Sequence, residues 1–144
     1  MSSSLREQIL ADLADTLADA TDAQDRVYRT RRLALVQDER PAILILPESE
    51  EVDGTRPGIY SMRTLSVTVN VYARGEIADQ AADDLCVQVH AAIMADETRG
   101  GVAMRTAPGG TSWRFSNDDM DAVEVSLSYQ IHYNARRTDL DQRP

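Results

Sequence analysis

The sequence contains no lysine, so all 15 of its basic residues are arginine, and they stand against 24 acidic residues for a formal net charge of −9. A domain whose work is to grip phosphate backbones needs clustered basic side chains that release counterions, and this balance argues against one. Cysteine is almost absent. Cys86 alone cannot form a disulfide within the chain, which fits a reducing compartment. Histidine occurs only as His90 and His132, with no further histidine or cysteine at ligand spacing, so no metal site is expected. Long apolar runs are missing too: Ala42 to Leu46 falls far short of the roughly 20 residues that span a bilayer. The first residues carry no basic and apolar signal segment, so the expectation is a cytoplasmic product with no membrane partner.

What is present has the balance of a folded protein, with 42% hydrophobic and 27% charged residues. The length of 144 residues predicts one domain over the whole chain, with a polar tail from about residue 134 that frays.

Leu5, Ile9, Leu13 and Leu17 recur every four residues and predict an amphipathic helix, opened by a capping box of Ser4 and Glu7. Asp12, Asp15, Asp19 and Asp22 form a solvated stripe on it, and Ala11, Ala14 and Ala18 a small-residue stripe that a neighbour could approach. Val27 begins a short extended stretch. Ala42 to Leu46, bounded by Pro41 and Pro47, predicts a strand buried on both faces. Glu48 to Gly58, rich in charge and turn formers, predicts a long exposed loop of the kind that carries contacts. Leu65, Val67, Val69 and Val71 alternate with polar residues as one half-covered strand, and Val123, Val125, Leu127, Tyr129, Ile131 and Tyr133 as another. Between them, Ala81, Leu85, Val89, Ala92 and Ile93 mark a second helix over about 78–96, with Val87 and Met94 on its other side as a candidate contact surface. Two short strands, from Val102 and from Ser112, are expected to form a hairpin across Ala107 to Gly110. The order predicts an α+β fold, a mostly antiparallel sheet of about four to six strands with two main helices on one face.

Motifs of catalysis do not occur: there is no G-x-S-x-G elbow, Walker A loop or dinucleotide fingerprint. Asn117 to Asp121 opens like a calcium loop but lacks the following glycine and the distal glutamate, leaving a turn between strands. Cys86 and His90, four apart on one helix, are the single pair that could act as thiol and imidazole in a small enzyme or ligand-binding module. Trp113 and Arg114, beside the Gly109-Gly110 turn, form a candidate exposed contact pair.

The runs Arg31 to Glu51, Arg63 to Gly75, Ala81 to Ile93, Ser112 to Trp113 and Leu127 to Tyr133 together resemble the tail-terminator proteins of long-tailed bacteriophages, the minor tail protein U group. The resemblance covers roughly Val27 to Tyr133. It implies a non-enzymatic virion subunit without catalytic residues or cofactors, assembling as a ring, a homohexamer, on the head-proximal end of the tail tube. Such a ring stops tube growth, offers a docking surface to head connector and neck proteins, and lets genomic DNA pass without specific binding, for which an acidic chain is suited. A tail-completion or neck protein is the neighbouring alternative. Ring contacts join unlike patches, and the candidates are Glu50, Glu51, Arg56, Arg63, Val87, Met94, Trp113 and Arg114, with Arg56 and Arg63 placed to meet a neighbour's carboxylates.

Overall fold

Ser4 starts the first helix as its spacing predicts: its Oγ accepts the Glu7 N–H at 3.1 Å, and α1 runs Leu5–Leu17. The computed structural model describes residues 3–29, 41–53, 58–115 and 122–143. Only half of the capping box is made, because the Glu7 carboxylate turns away to hold Arg29 at 2.6 and 3.0 Å. That pair fastens α1 to the short strand β1, Val27–Arg29. The four-residue period does its expected work, burying Leu5, Ile9, Leu13 and Leu17.

Next come β2 (Ala42–Val52), β3 (Tyr60–Arg74), α2 (Ala78–Met94), β4 (Arg105–Phe115) and β5 (Ala122–Arg136). They build an α+β fold with one five-stranded sheet in the order β1-β2-β3-β5-β4, where β1 runs parallel to β2 and every other pairing is antiparallel. Period-two alternation sorts β3 and β5 into two faces. Leu65, Val67, Val69 and Val71 join Val123, Val125, Tyr129 and Ile131 in the core beneath α1 and α2. Thr64, Ser66 and Thr68, with His132, Gln130 and Ser128 beside them in register, take the opposite face. Along α2 the buried stripe is Ala78, Ala82, Leu85, Val89 and Ile93, slightly rotated from the expected one. Among the described residues no helix is long and apolar enough to cross a membrane.

Three expectations are corrected. The stretch from Glu48 is not loop: β2 continues through it to Val52, because the register slips by one residue between Pro47 and Ser49 and the extra residue is absorbed as a bulge. The hairpin across Ala107 to Gly110 is instead the single strand β4. Gly109 and Gly110 together oppose the one residue Ser128, so the glycines form a bulge, and Pro108 is tolerated because β4 lies at the sheet edge. Finally, the chain after Asn134 is held: β5 runs to Arg136, and the Leu140 carbonyl accepts the Leu5 N–H at 2.8 Å.

After α2 the chain reverses through Arg99, whose φ of +51° is left-handed. Its side chain is buried and donates to the carbonyl oxygens of Ile93 and Asp96, and its Nη1 lies 3.5 Å from Asp12 on α1. A cation at the carbonyl end of a helix meets both the orphaned acceptors and the negative end of the dipole.

Candidate functional site

The bulge in β2 decides where Glu50 points. An unbroken ladder would set Ser49 opposite Leu65 on the helix-covered face; the extra residue puts Glu50 there. Its carboxylate, with only 9% of the side chain exposed, accepts from Arg6 Nη1 at 2.9 Å, from Arg63 Nη1 at 3.0 Å and from the Tyr133 hydroxyl. Burial, followed by the Glu50 carboxylate, pushes the Tyr133 hydroxyl well above its ordinary range. This cluster ties α1, β2, β3 and β5 together. Of the contact candidates, the structure therefore brings Glu50 and Arg63 to each other within one chain.

Glu51 points to the opposite face of β2 and is exposed. Arg56 lies outside the described residues, as does Asn117 to Asp121. Val87 and Met94 part company: Val87 is 63% exposed, whereas Met94 packs against the core. Arg114 is exposed beside Glu124 in register, on the sheet face away from the helices.

Trp113 belongs to a different surface, and it has company that local reasoning did not supply. Trp113 is 57% exposed and Phe115 47% exposed, two residues apart on the outer strand β4. With Asp79, Gln80 and Asp83 of α2 they line an open hollow of about 490 Å³. Val87 lies one turn beyond Asp83 on the same flank of α2. Ile77, at the N-cap position, adds a further exposed apolar side chain. The signal for Phe115 was its two-residue spacing from Trp113, which puts both rings on one side of a strand once that strand is known to be continuous.

Further exposed apolar side chains lie at the opposite end of the sheet: Val52 at the end of β2, and Ile59 (69% exposed) and Tyr60 (43% exposed) at the start of β3, with the exposed Glu51 beside them. Arg136 pairs with Tyr60, and Arg137 donates its backbone N–H to the Ile59 carbonyl at 2.7 Å.

The thiol and imidazole pair does not form. His90 Nδ1 is 2.9 Å from the Tyr129 hydroxyl, and the two rings stack at 6.0 Å. Burial, with Asp83 nearby, pushes the half-buried Cys86 thiol up to about 11. A thiol held protonated is a poor nucleophile.

No family model matches the chain, and no curated protein matches it either. Among solved structures the chain is similar to a chain of the virion of native gene transfer agent (GTA) particle, with 11% identity over 92% of each chain and a TM-score of 0.44.

Proposed function

We propose that this chain is a virion structural protein of the tail-terminator kind. It forms a ring, a homohexamer, on the head-proximal end of a tail tube, stops tube polymerisation there and presents the surface on which the head connector docks. The observation that carries this reading is the outer strand β4, whose Trp113 and Phe115 stand in solvent on an edge with room for a protein neighbour. Large aromatic side chains are the usual anchors of protein interfaces. The resemblance from Val27 to Tyr133 supports the same reading. So does the charge: duplex DNA slides past a subunit with net charge −9 without adhering.

Electron microscopy of tails assembled without the protein tests the assignment. Overlong tubes lacking heads are expected, and addition of the purified chain to polymerising tubes should cap them. Tubes of normal length that carry heads would refute it.

A further inference from the structure

Only part of the free edge of β4 is guarded. Among the described residues no strand lies beyond it, so a row of its N–H and C=O groups faces outward. Toward its start Pro108 lacks an N–H and the Gly109-Gly110 bulge bends the strand, two features that discourage a further strand from pairing. From Thr111 to Phe115 the ladder with β5 is unbroken, and all five residues are exposed. The hollow flanks that unguarded stretch. Trp113 and Phe115 give it two rings, Asp79 and Asp83 two carboxylates. Among the described residues no ion pair engages either aspartate, and α2 contains no arginine. Arg114 lies on the other face of the sheet beside Glu124, and Arg74 lines a separate hollow with Asp22 and Asp84. The carboxylates of the aromatic hollow are thus left for a cation from outside.

We propose that Thr111 to Phe115 takes an added strand from a different protein, an extended segment with arginines at alternate positions that lodge in the hollow. The free backbone row selects an extended chain. The hollow selects the side chain, because a guanidinium both pairs with carboxylates and stacks on aromatic faces. Alternate residues of a strand recur every roughly 7 Å on one face, the same step that separates Trp113 from Phe115. A second copy of this chain offers no such strand among the described residues. Its edge strands are β4, which would bring two acidic hollows onto one face, and the three-residue β1, whose Arg29 is held by Glu7. The proposal rests on the reading of β4 as a contact edge and names the chemistry of what covers it.

Trp113 is the single tryptophan of the chain and reports on the hollow directly. The probe is a capped Arg-Thr-Arg-Thr-Arg-Thr peptide, titrated into the full chain at low salt. Trp113 emission is expected to move to shorter wavelength and saturate. A peptide of the same composition with its three arginines consecutive, and the first peptide N-methylated at every residue, should each bind about tenfold or more weaker, having lost the one-sided spacing or the backbone donors. Asp79→Asn with Asp83→Asn should weaken binding about tenfold as well. Both positions are exposed, so far-ultraviolet circular dichroism should not change. An emission that stays unmoved up to millimolar peptide overturns the proposal. So does equal binding of the rearranged peptide, the methylated peptide or arginine amide, which would reduce the effect to attraction of any cation by an acidic chain. Self-association that shifts Trp113 emission without peptide also overturns it, since a second copy would then hold the edge. A chain that binds the peptide yet caps no tail tube loses the terminator assignment and keeps this site; one that caps tubes and ignores the peptide keeps the assignment and loses the site.

Discussion

Arg63 and Glu50 face each other across β3 and β2, Nη1 to Oε2 at 3.0 Å, on the face of the sheet that the helices cover. An arginine that sequence pattern alone offers to a neighbouring subunit is thus engaged inside its own. The carboxylate also takes Arg6 and the Tyr133 hydroxyl, so one side chain satisfies donors from three other elements. Its removal strands a guanidinium only 15% exposed.

Glu50→Ala is therefore expected to destabilise the fold by about 3 kcal/mol, because a mostly buried cation loses its counter-ion. Arg6→Ala should cost less than about 1 kcal/mol, since Arg6 is 39% exposed and solvent screens its pair. Urea unfolding midpoints of the two variants measure the difference. Equal losses would mean that the cluster adds nothing beyond surface charge.

Arg99 gives a second test of a buried cation. Arg99→Ala leaves the Ile93 and Asp96 carbonyls without their donor and opens space beneath α2, for an expected loss of about 3 kcal/mol. Arg99→Met fills the space and should recover part of it. Both are read from urea midpoints, and hydrogen exchange at the end of α2 should rise more for alanine than for methionine.

The bulge at Gly109 makes a sharp local prediction. A Cβ at Gly109 would stand 3.2 Å from the Ser128 Cβ and 3.3 Å from its carbonyl oxygen, while one at Gly110 meets nothing within 4 Å. Gly109→Ala should cost about 1–2 kcal/mol, because the Ser128 side chain and carbonyl must shift to admit the new methyl group. Gly110→Ala should stay within about 0.5 kcal/mol of the wild type. Thermal or urea denaturation of the pair settles which glycine the strand needs.

Both bulges show where local pattern stops being readable. The alternation in β3 and β5 and the four-residue period in α1 and α2 were legible, because each repeats over several residues and names its own buried face. Pro47 and the Pro108-Gly109-Gly110 run read as strand ends, since the cues of a turn and of a bulge are the same residues. What separates them is the partner strand, and a one-residue slip of register leaves no local trace. The inward turn of Glu50 followed from such a slip. The exposure of Trp113 was legible, but its neighbours Asp79 and Asp83 come from another element and only the fold brings them near.

Alkaline pH should unfold the protein in a defined window. Burial, with Cys86 nearby, lifts the Tyr129 hydroxyl from 10.0 to about 12, and Tyr133 is raised as well. Unfolded tyrosines release their protons first, so this stability is whole below pH 10 and is lost as pH climbs toward 12. Tyr129 alone accounts for about 2 kcal/mol of that loss. Tyr129→Phe should be less stable at pH 7, lacking the bond to His90, yet show a shallower alkaline decline. Urea midpoints at pH 8 to 11 make the comparison; parallel curves would refute it.

Cys86 offers the cleanest check on the chemistry of α2. With its thiol lifted from 9.0 to about 11, the folded chain holds about a hundredfold less thiolate at pH 8 than a free cysteine does. Alkylation by iodoacetamide should be slow in the native protein, fast in urea, and should rise with pH toward 11. His90→Ala should leave the native rate within about twofold, because His90 is bonded to Tyr129 and not to the thiol. Rapid labelling at neutral pH that His90→Ala abolishes would restore the nucleophile reading and count against a purely structural role.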